Sequence, residues 1–159
     1  MAMPPLISAS CTVLDANTMI ALCAQEPQRY TVAGAEINNY AQAGSLFYAP
    51  NIIVGETLYA LRRKLTDGTL TTAEHAQAVQ SFEARMAAVL PPPGGDASLI
   101  LRADQICTGY GASRSADALY LALAEELAAL YSDVRLLTFD RDLPKQATRN
   151  APGVAIHLL

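Results

Sequence analysis

The sequence predicts an α/β chain with three layers, α/β/α, around a central parallel sheet of four to five strands. Short apolar runs of strand length alternate with longer stretches of helical spacing along all 159 residues. Capping and turn residues punctuate the boundaries between them. Hydrophobic residues make up 52% of the chain and charged residues only 16%, a composition that fills a real core and argues against disorder. The length fits a single domain over residues 1–159 better than two.

Residues 11–14 form a short apolar strand that runs into Asp15. Asn17 starts a helix through Gln25, and Pro27 closes it. Residues 31–43 carry the apolar spacing of a second helix, with Gly44 as its stop. Residues 46–49 read as the second strand. Pro50 and Asn51 open a helix to Thr66, and Asp67-Gly68 turns the chain. Thr71-Thr72-Ala73-Glu74 has the spacing of a capping box, in which a hydroxyl and a carboxylate each satisfy a backbone amide. The helix it opens continues to Ala88.

Val89 and Leu90 make a brief strand, and the Pro/Gly run at 91–95 is a surface loop too short to link domains. A helix over 97–108 ends at Gly109-Tyr110-Gly111. Ser113 or Ser115 caps the next helix, which runs to Tyr131. Residues 134–139 are the third clear strand, and it too runs into an aspartate, Asp140. A short helix over 144–150 and a strand over 154–156 close the chain.

Composition excludes several classes of function. A net charge of −4 argues against a nucleic-acid coat protein, although an acidic pocket with nearby arginines still handles nucleic acid locally. No stretch approaches the roughly 20 apolar residues of a membrane helix, and the first ten residues lack the pattern of a secretory signal. A cytoplasmic location is the expectation. Cys11, Cys23 and Cys107 are widely spaced and only two histidines accompany them, which disfavours a zinc site.

In a parallel sheet the site lies beyond the carboxyl ends of the strands, where strand order reverses. Asp15 and Asp140 each follow an apolar strand. Taken singly, either is an ordinary turn residue or helix cap. Two carboxylates brought together repel unless a cation compensates, and a hard divalent ion with oxygen ligands is the natural compensation. Glu56, early in the helix after the second strand, and Asp117, in the first turn after Ser115, sit where helix starts face that same edge. Each alone is equally well read as an acid complementing a helix dipole.

Four segments, taken in order, resemble the PIN family. They are Val13-Leu14-Asp15-Ala16-Asn17-Thr18-Met19-Ile20, then residues 48–63 centred on Glu56, then Ser115-Ala116-Asp117-Ala118-Leu119, then Leu136-Leu137-Thr138-Phe139-Asp140-Arg141-Asp142. Each is weak alone; the ordered set spans almost the whole chain. It is most similar to small prokaryotic PIN proteins that include VapC-like toxins.

The resemblance implies a PIN-like fold and a Mg²⁺- or Mn²⁺-dependent endoribonuclease, the toxin of a toxin–antitoxin pair. It implies Asp15, Glu56, Asp117 and Asp140 as catalytic metal-site acids, with Asn17 and Thr138 supporting them. RNA would be the substrate and an antitoxin protein a partner; the alanine-rich helices separately offer small, flat apolar faces for a homodimer or a partner's helix. Where such toxins often carry asparagine three residues after the glutamate, this chain has Tyr59. Asp142 ranks below Asp140 because it lies further past the strand.

Arg62, Arg63, Arg114 and Arg141 are the candidate substrate-binding cations; for Arg62 and Arg63 a solvated helix face is an equal alternative. Three other readings compete. Asp15-Ala16-Asn17-Thr18 approaches the Asp-x-Asp-x-Thr motif of haloacid-dehalogenase-type phosphatases, but Asn17 cannot serve there as acid and base. A PIN fold also serves as an interaction module with weak or no catalysis, and metal chemistry at phosphate extends to DNA.

Overall fold

The structure is a computed structural model, and it describes residues 6–108 and 115–159, Ser115 through its backbone alone. Five strands form one all-parallel sheet in the order β3-β2-β1-β4-β5. They are β1 (Ile7–Leu14), β2 (Leu46–Tyr48), β3 (Val89–Leu90), β4 (Tyr131–Thr138) and β5 (Ala155–Leu158). The flanking helices are α1 (Ala16–Cys23), α2 (Arg29–Gln42), α3 (Ile52–Thr66), α4 (Thr72–Met86), α5 (Ile100–Thr108), α6 (Ser115–Ala128) and α7 (Leu143–Asn150). A 3₁₀ turn over Asp96–Leu99 leads into α5.

The strand order positions the site. From β1 the chain steps outward to β2 and β3, then returns to the other side of β1 for β4 and β5. The reversal therefore falls between β1 and β4, where the crevice of an open parallel sheet is expected. Their register pairs Val13 with Leu136 and Leu14 with Leu137, so Asp15 emerges beside Thr138.

β1 is the middle strand, and its last four residues, Cys11 to Leu14, are buried. That explains an apolar run with no polar alternation. α6 is apolar almost all round because it packs on β1, β4 and α5 at once, burying Tyr120, Leu121, Leu123 and Leu127. Met19 of α1, Ile53 and Leu61 of α3, and Leu136 and Leu137 of β4 complete the centre of one continuous core.

Local signals explain most boundaries. The capping box forms at Thr71 and Glu74. Gly44 and Gly68 end helices in the left-handed region, at φ 79° each, which a side chain would disfavour. The first helix starts earlier than the sequence predicts, because Asp15 rather than Asn17 is its cap. β4 also starts earlier. The predicted helix to Tyr131 stops at Ala128, and Tyr131 instead pairs with Ile7 of β1 while Ile7 N–H donates to Leu130 O at 2.8 Å. Sheet pairing decides a boundary that helical periodicity would carry onward. Gly109-Tyr110-Gly111, Ser113 and Arg114, and the side chain of Ser115, lie outside the described residues.

One core group is badly matched to its surroundings. The Thr57 hydroxyl on α3 is fully buried with no hydrogen-bond partner among the described residues. Thr57→Val keeps the shape and removes an unsatisfied polar atom, so it is expected to raise stability by about 1 kcal/mol. Urea unfolding midpoints check this; a lower midpoint would show that the hydroxyl is satisfied in solution. Among the described residues no helix is long and apolar enough to cross a membrane.

Candidate active site

Three of the four sequence-predicted acids line one cleft. Asp15, Glu56 and Asp117 meet there with Ala16, Asn17, Ile20, Tyr59 and Tyr120, around a space of about 200 Å³. Among the described residues, no lysine or arginine lines it. A larger cleft, about 370 Å³, lies among the end of α1, α3 and α4, but it contains none of the four acids. Chemistry, not size, selects the smaller one.

Each acid is held by a different element. Asp15 ends β1 and caps α1: its Oδ1 accepts from Thr18 N–H at 2.9 Å. Its Oδ2 accepts from the Thr138 hydroxyl at the end of β4. Thr18 in turn donates its own hydroxyl to Leu137 O at 3.1 Å, tying α1 to β4. Glu56 lies in the second turn of α3 and accepts from Tyr120 Oη–H at 2.6 Å. Asp117, in the first turn of α6, accepts from Gln146 Nε2–H of α7 at 3.0 Å.

Burial makes two of the cleft's acids reluctant to ionise. Burial pushes the Asp15 carboxyl up to about 6, and the Asp117 charge adds to this against the lowering effect of the Thr138 and Thr18 hydrogen bonds. Burial also raises Glu56, again with help from Asp117 and opposed by the Tyr120 bond. Tyr120 is driven well above its ordinary value, first by burial and then by the hydrogen bond and charge of Glu56. It therefore stays protonated and donates.

Asp140 is placed differently. Its N–H donates to Thr138 Oγ1 at 2.9 Å, and its Oδ1 accepts from Asp142 N–H at 2.8 Å. It is half-buried and is not among the residues lining the cleft. The single hydroxyl of Thr138 thus connects it to Asp15. Asn17 is exposed on the rim. Arg62 and Arg63 are exposed near the C-terminal end of α3 and are not among the residues lining the cleft; Arg141 is exposed just after Asp140. Arg114 lies outside the described residues.

The residues fit a hard divalent cation in kind: carboxylate oxygens from three elements, one of them deeply buried. They do not form a closed cage. Among the described residues no three His, Cys, Asp or Glu side chains are drawn together as a metal-binding group.

Sequence reasoning missed Tyr120 and Gln146. Gln146 carried a signal: it sits on the same helical face as the buried Leu143 and Ala147, an amide at a position whose spacing calls for an apolar side chain. Tyr120 lies one turn beyond Asp117 and looks like any core aromatic.

A family model described as "PIN domain" matches residues 12–148. The chain belongs to the PIN family. Solved structures agree at the level of the fold. The structure of VapBC2 from Rickettsia felis, bound to a DNA fragment from the promoter, contains a chain that aligns with TM-score 0.60 and 12% identity, covering 94% of this chain and 98% of its own. A chain of FitAcB from Neisseria gonorrhoeae aligns with TM-score 0.57 and 16% identity, covering 91% and 95%. Comparison with curated proteins by sequence found no match. The five-stranded parallel sheet is therefore a PIN sheet, with Asp15, Glu56 and Asp117 on the cleft at its switch point.

Proposed function

We propose that this PIN chain is a divalent-metal-dependent endoribonuclease that hydrolyses RNA phosphodiester bonds in the cytoplasm, as the toxin of a toxin–antitoxin pair. One observation carries the nuclease reading: Asp15, Glu56 and Asp117, brought from three separate elements, converge on one cleft, and burial makes Asp15 and Glu56 hold protons more tightly than usual. The toxin reading rests on the resemblance to VapC-like proteins and on the fold shared with the VapBC2 structure.

Asp15, Glu56 and Asp117 would hold Mg²⁺ or Mn²⁺, with Asp140 as the fourth acid at the mouth. A bound ion supplies an acidified water and neutralises charge on the phosphate oxygens and the leaving 3′ oxygen. The chain's own contribution is orientation. Tyr120 fixes Glu56 and Gln146 fixes Asp117, while Thr138 joins Asp15 to Asp140. Asn17 offers an amide on the rim to orient a water, and Arg141 stands beside Asp140 for phosphate. The attacking group would be water, the ordinary nucleophile of such metal-assisted hydrolysis.

An antitoxin protein and a second copy of this chain complete the proposed partners. Exposed Val54 and Leu58 on α3, with Ile100 and Leu101 on α5, support a homodimer. Sedimentation would then give twice the chain mass.

The deciding experiment incubates a mixed pool of structured RNAs with Mg²⁺ or Mn²⁺, comparing the natural protein with Glu56→Gln. Cleavage is expected to stop with chelator and to fall by about a hundredfold or more in the variant. No cleavage by a folded natural protein would favour an interaction module, and cleavage of DNA alone would change the substrate. Equal cleavage by both proteins would mean a contaminating ribonuclease or a misassigned site.

A further inference from the structure

Of the cations that the sequence singles out, Arg62, Arg63 and Arg141 are exposed and do not line the cleft, and Arg114 lies outside the described residues. Resting on the proposed ribonuclease reading, we infer that Arg29, the first residue of α2, is a backbone-phosphate contact for RNA at the edge of the site, held in place by Phe139.

Three observations converge on it. The Arg29 guanidinium lies over the Phe139 ring, 5.0 Å from its centroid. Phe139 stands between Thr138, which binds Asp15, and Asp140. A cation is therefore fixed one residue along the chain from two parts of the acidic site. Contact with the ring face restrains the guanidinium, and apart from the long Nη1 bond to Glu26 Oε2 its N–H groups can serve a phosphate.

The second observation concerns charge. Glu26 is shared by two cations: Lys64 Nζ from α3 sits 2.9 Å from Oε1, while Arg29 Nη1 sits 3.5 Å from Oε2. The closer, less exposed lysine neutralises Glu26, so the positive charge of Arg29 is left largely uncompensated. The third is accessibility. The Arg29 side chain is 54% exposed, and so long and exposed an ion pair contributes little. A phosphate, with more charge and better geometry, displaces it without disturbing the Glu26–Lys64 bond.

In a protein of net charge −4 with an acidic cleft, a polyanion needs such a contact beside the acids. Arg29 would take a phosphate flanking the scissile one. Sequence reading passes over it because nothing local distinguishes it; its partner ring lies 110 residues away in the chain.

The test is binding, separate from catalysis. A labelled single-stranded RNA of mixed sequence is titrated with Glu56→Gln protein, in which cleavage is blocked, across about 50 to 200 mM salt. Adding Arg29→Met is expected to weaken binding roughly 3- to 10-fold and to reduce the slope of log affinity against log salt by about 0.7. Arg29→Lys keeps the charge and should keep the slope with weaker binding, and Phe139→Leu should fall between Arg29→Met and the parent. Arg135→Met, on β4 beside Asp133, is the control and should bind as the parent does.

Unchanged affinity and slope for Arg29→Met would overturn the assignment and point to an acidic protein partner for this residue, while leaving the proposed ribonuclease intact. Failure of the parent to bind RNA at all would overturn both.

Discussion

Asp15→Asn is expected to lower RNA cleavage by about a hundredfold or more while making the metal-free protein more stable at neutral pH. Both effects have one cause. The Asp15 carboxylate is buried at the end of β1, and burial raises its pKa from an ordinary 3.8 to about 6 in spite of two hydrogen bonds. A raised carboxyl pKa means that the folded state takes up its proton more readily than the unfolded chain does. The associated stabilisation is complete below about pH 4 and is lost as pH rises through about 6. A shift of about two units corresponds to roughly 3 kcal/mol at most.

The neutral amide does not titrate, so the variant escapes that loss. Above pH 7, without metal, its melting temperature should exceed that of the natural protein by about 5 to 10 °C. Near pH 4 the two should melt together. Thermal melts across pH 4 to 8 measure the difference directly. Adding Mg²⁺ or Mn²⁺ at pH 8 should stabilise the natural protein and not the variant, closing the gap. A gap that does not vary with pH would show that Asp15 is not strained by its own charge. The combination of lost activity and gained stability marks a group placed for chemistry at the expense of the fold.

Much of this arrangement was legible in the sequence, for a physical reason. The carboxyl-terminal ends of β1 and β4 are buried, so their short apolar runs stand out, and an acid just past each run falls at the carboxyl edge. Glu56 and Asp117 were placed at the same edge by their positions near helix starts, and the order of the four PIN-like segments then joined them to Asp15 and Asp140. What stayed hidden are interactions between distant residues. Tyr120 and Glu56 are 64 residues apart, Gln146 and Asp117 29 apart, and neither separation leaves a local pattern. The start of β4 was hidden similarly, since only its pairing with β1 separates Tyr131 from the helix before it. Asp140 was legible as an acid after a strand, but not its place outside the cleft, which depends on how the chain turns after Thr138.

Thr138→Val should then have an effect out of proportion to the loss of one hydroxyl. Thr138 is fully buried, and its Oγ1 both donates to Asp15 Oδ2 and accepts from Asp140 N–H. Valine keeps the volume and removes both bonds. The Asp15 carboxylate loses a charge-assisted partner in a buried position, which costs about 2 to 3 kcal/mol at neutral pH. The loss should shrink in acid, where Asp15 is already protonated and the bond is no longer charge-assisted. Because the Thr138 bond lowers the Asp15 pKa, its removal raises that pKa further. The acid limb of the cleavage profile should accordingly move to higher pH, and cleavage at pH 7 should fall by about 10- to 100-fold. Thr138→Ser retains the hydroxyl and should restore both the profile and most of the rate, whereas a purely packing role would predict the reverse, since valine preserves the shape of the side chain and serine does not. A cleavage profile that stays in place in Thr138→Val, with stability lowered equally at every pH, would reduce Thr138 to a core residue and separate Asp140 from Asp15.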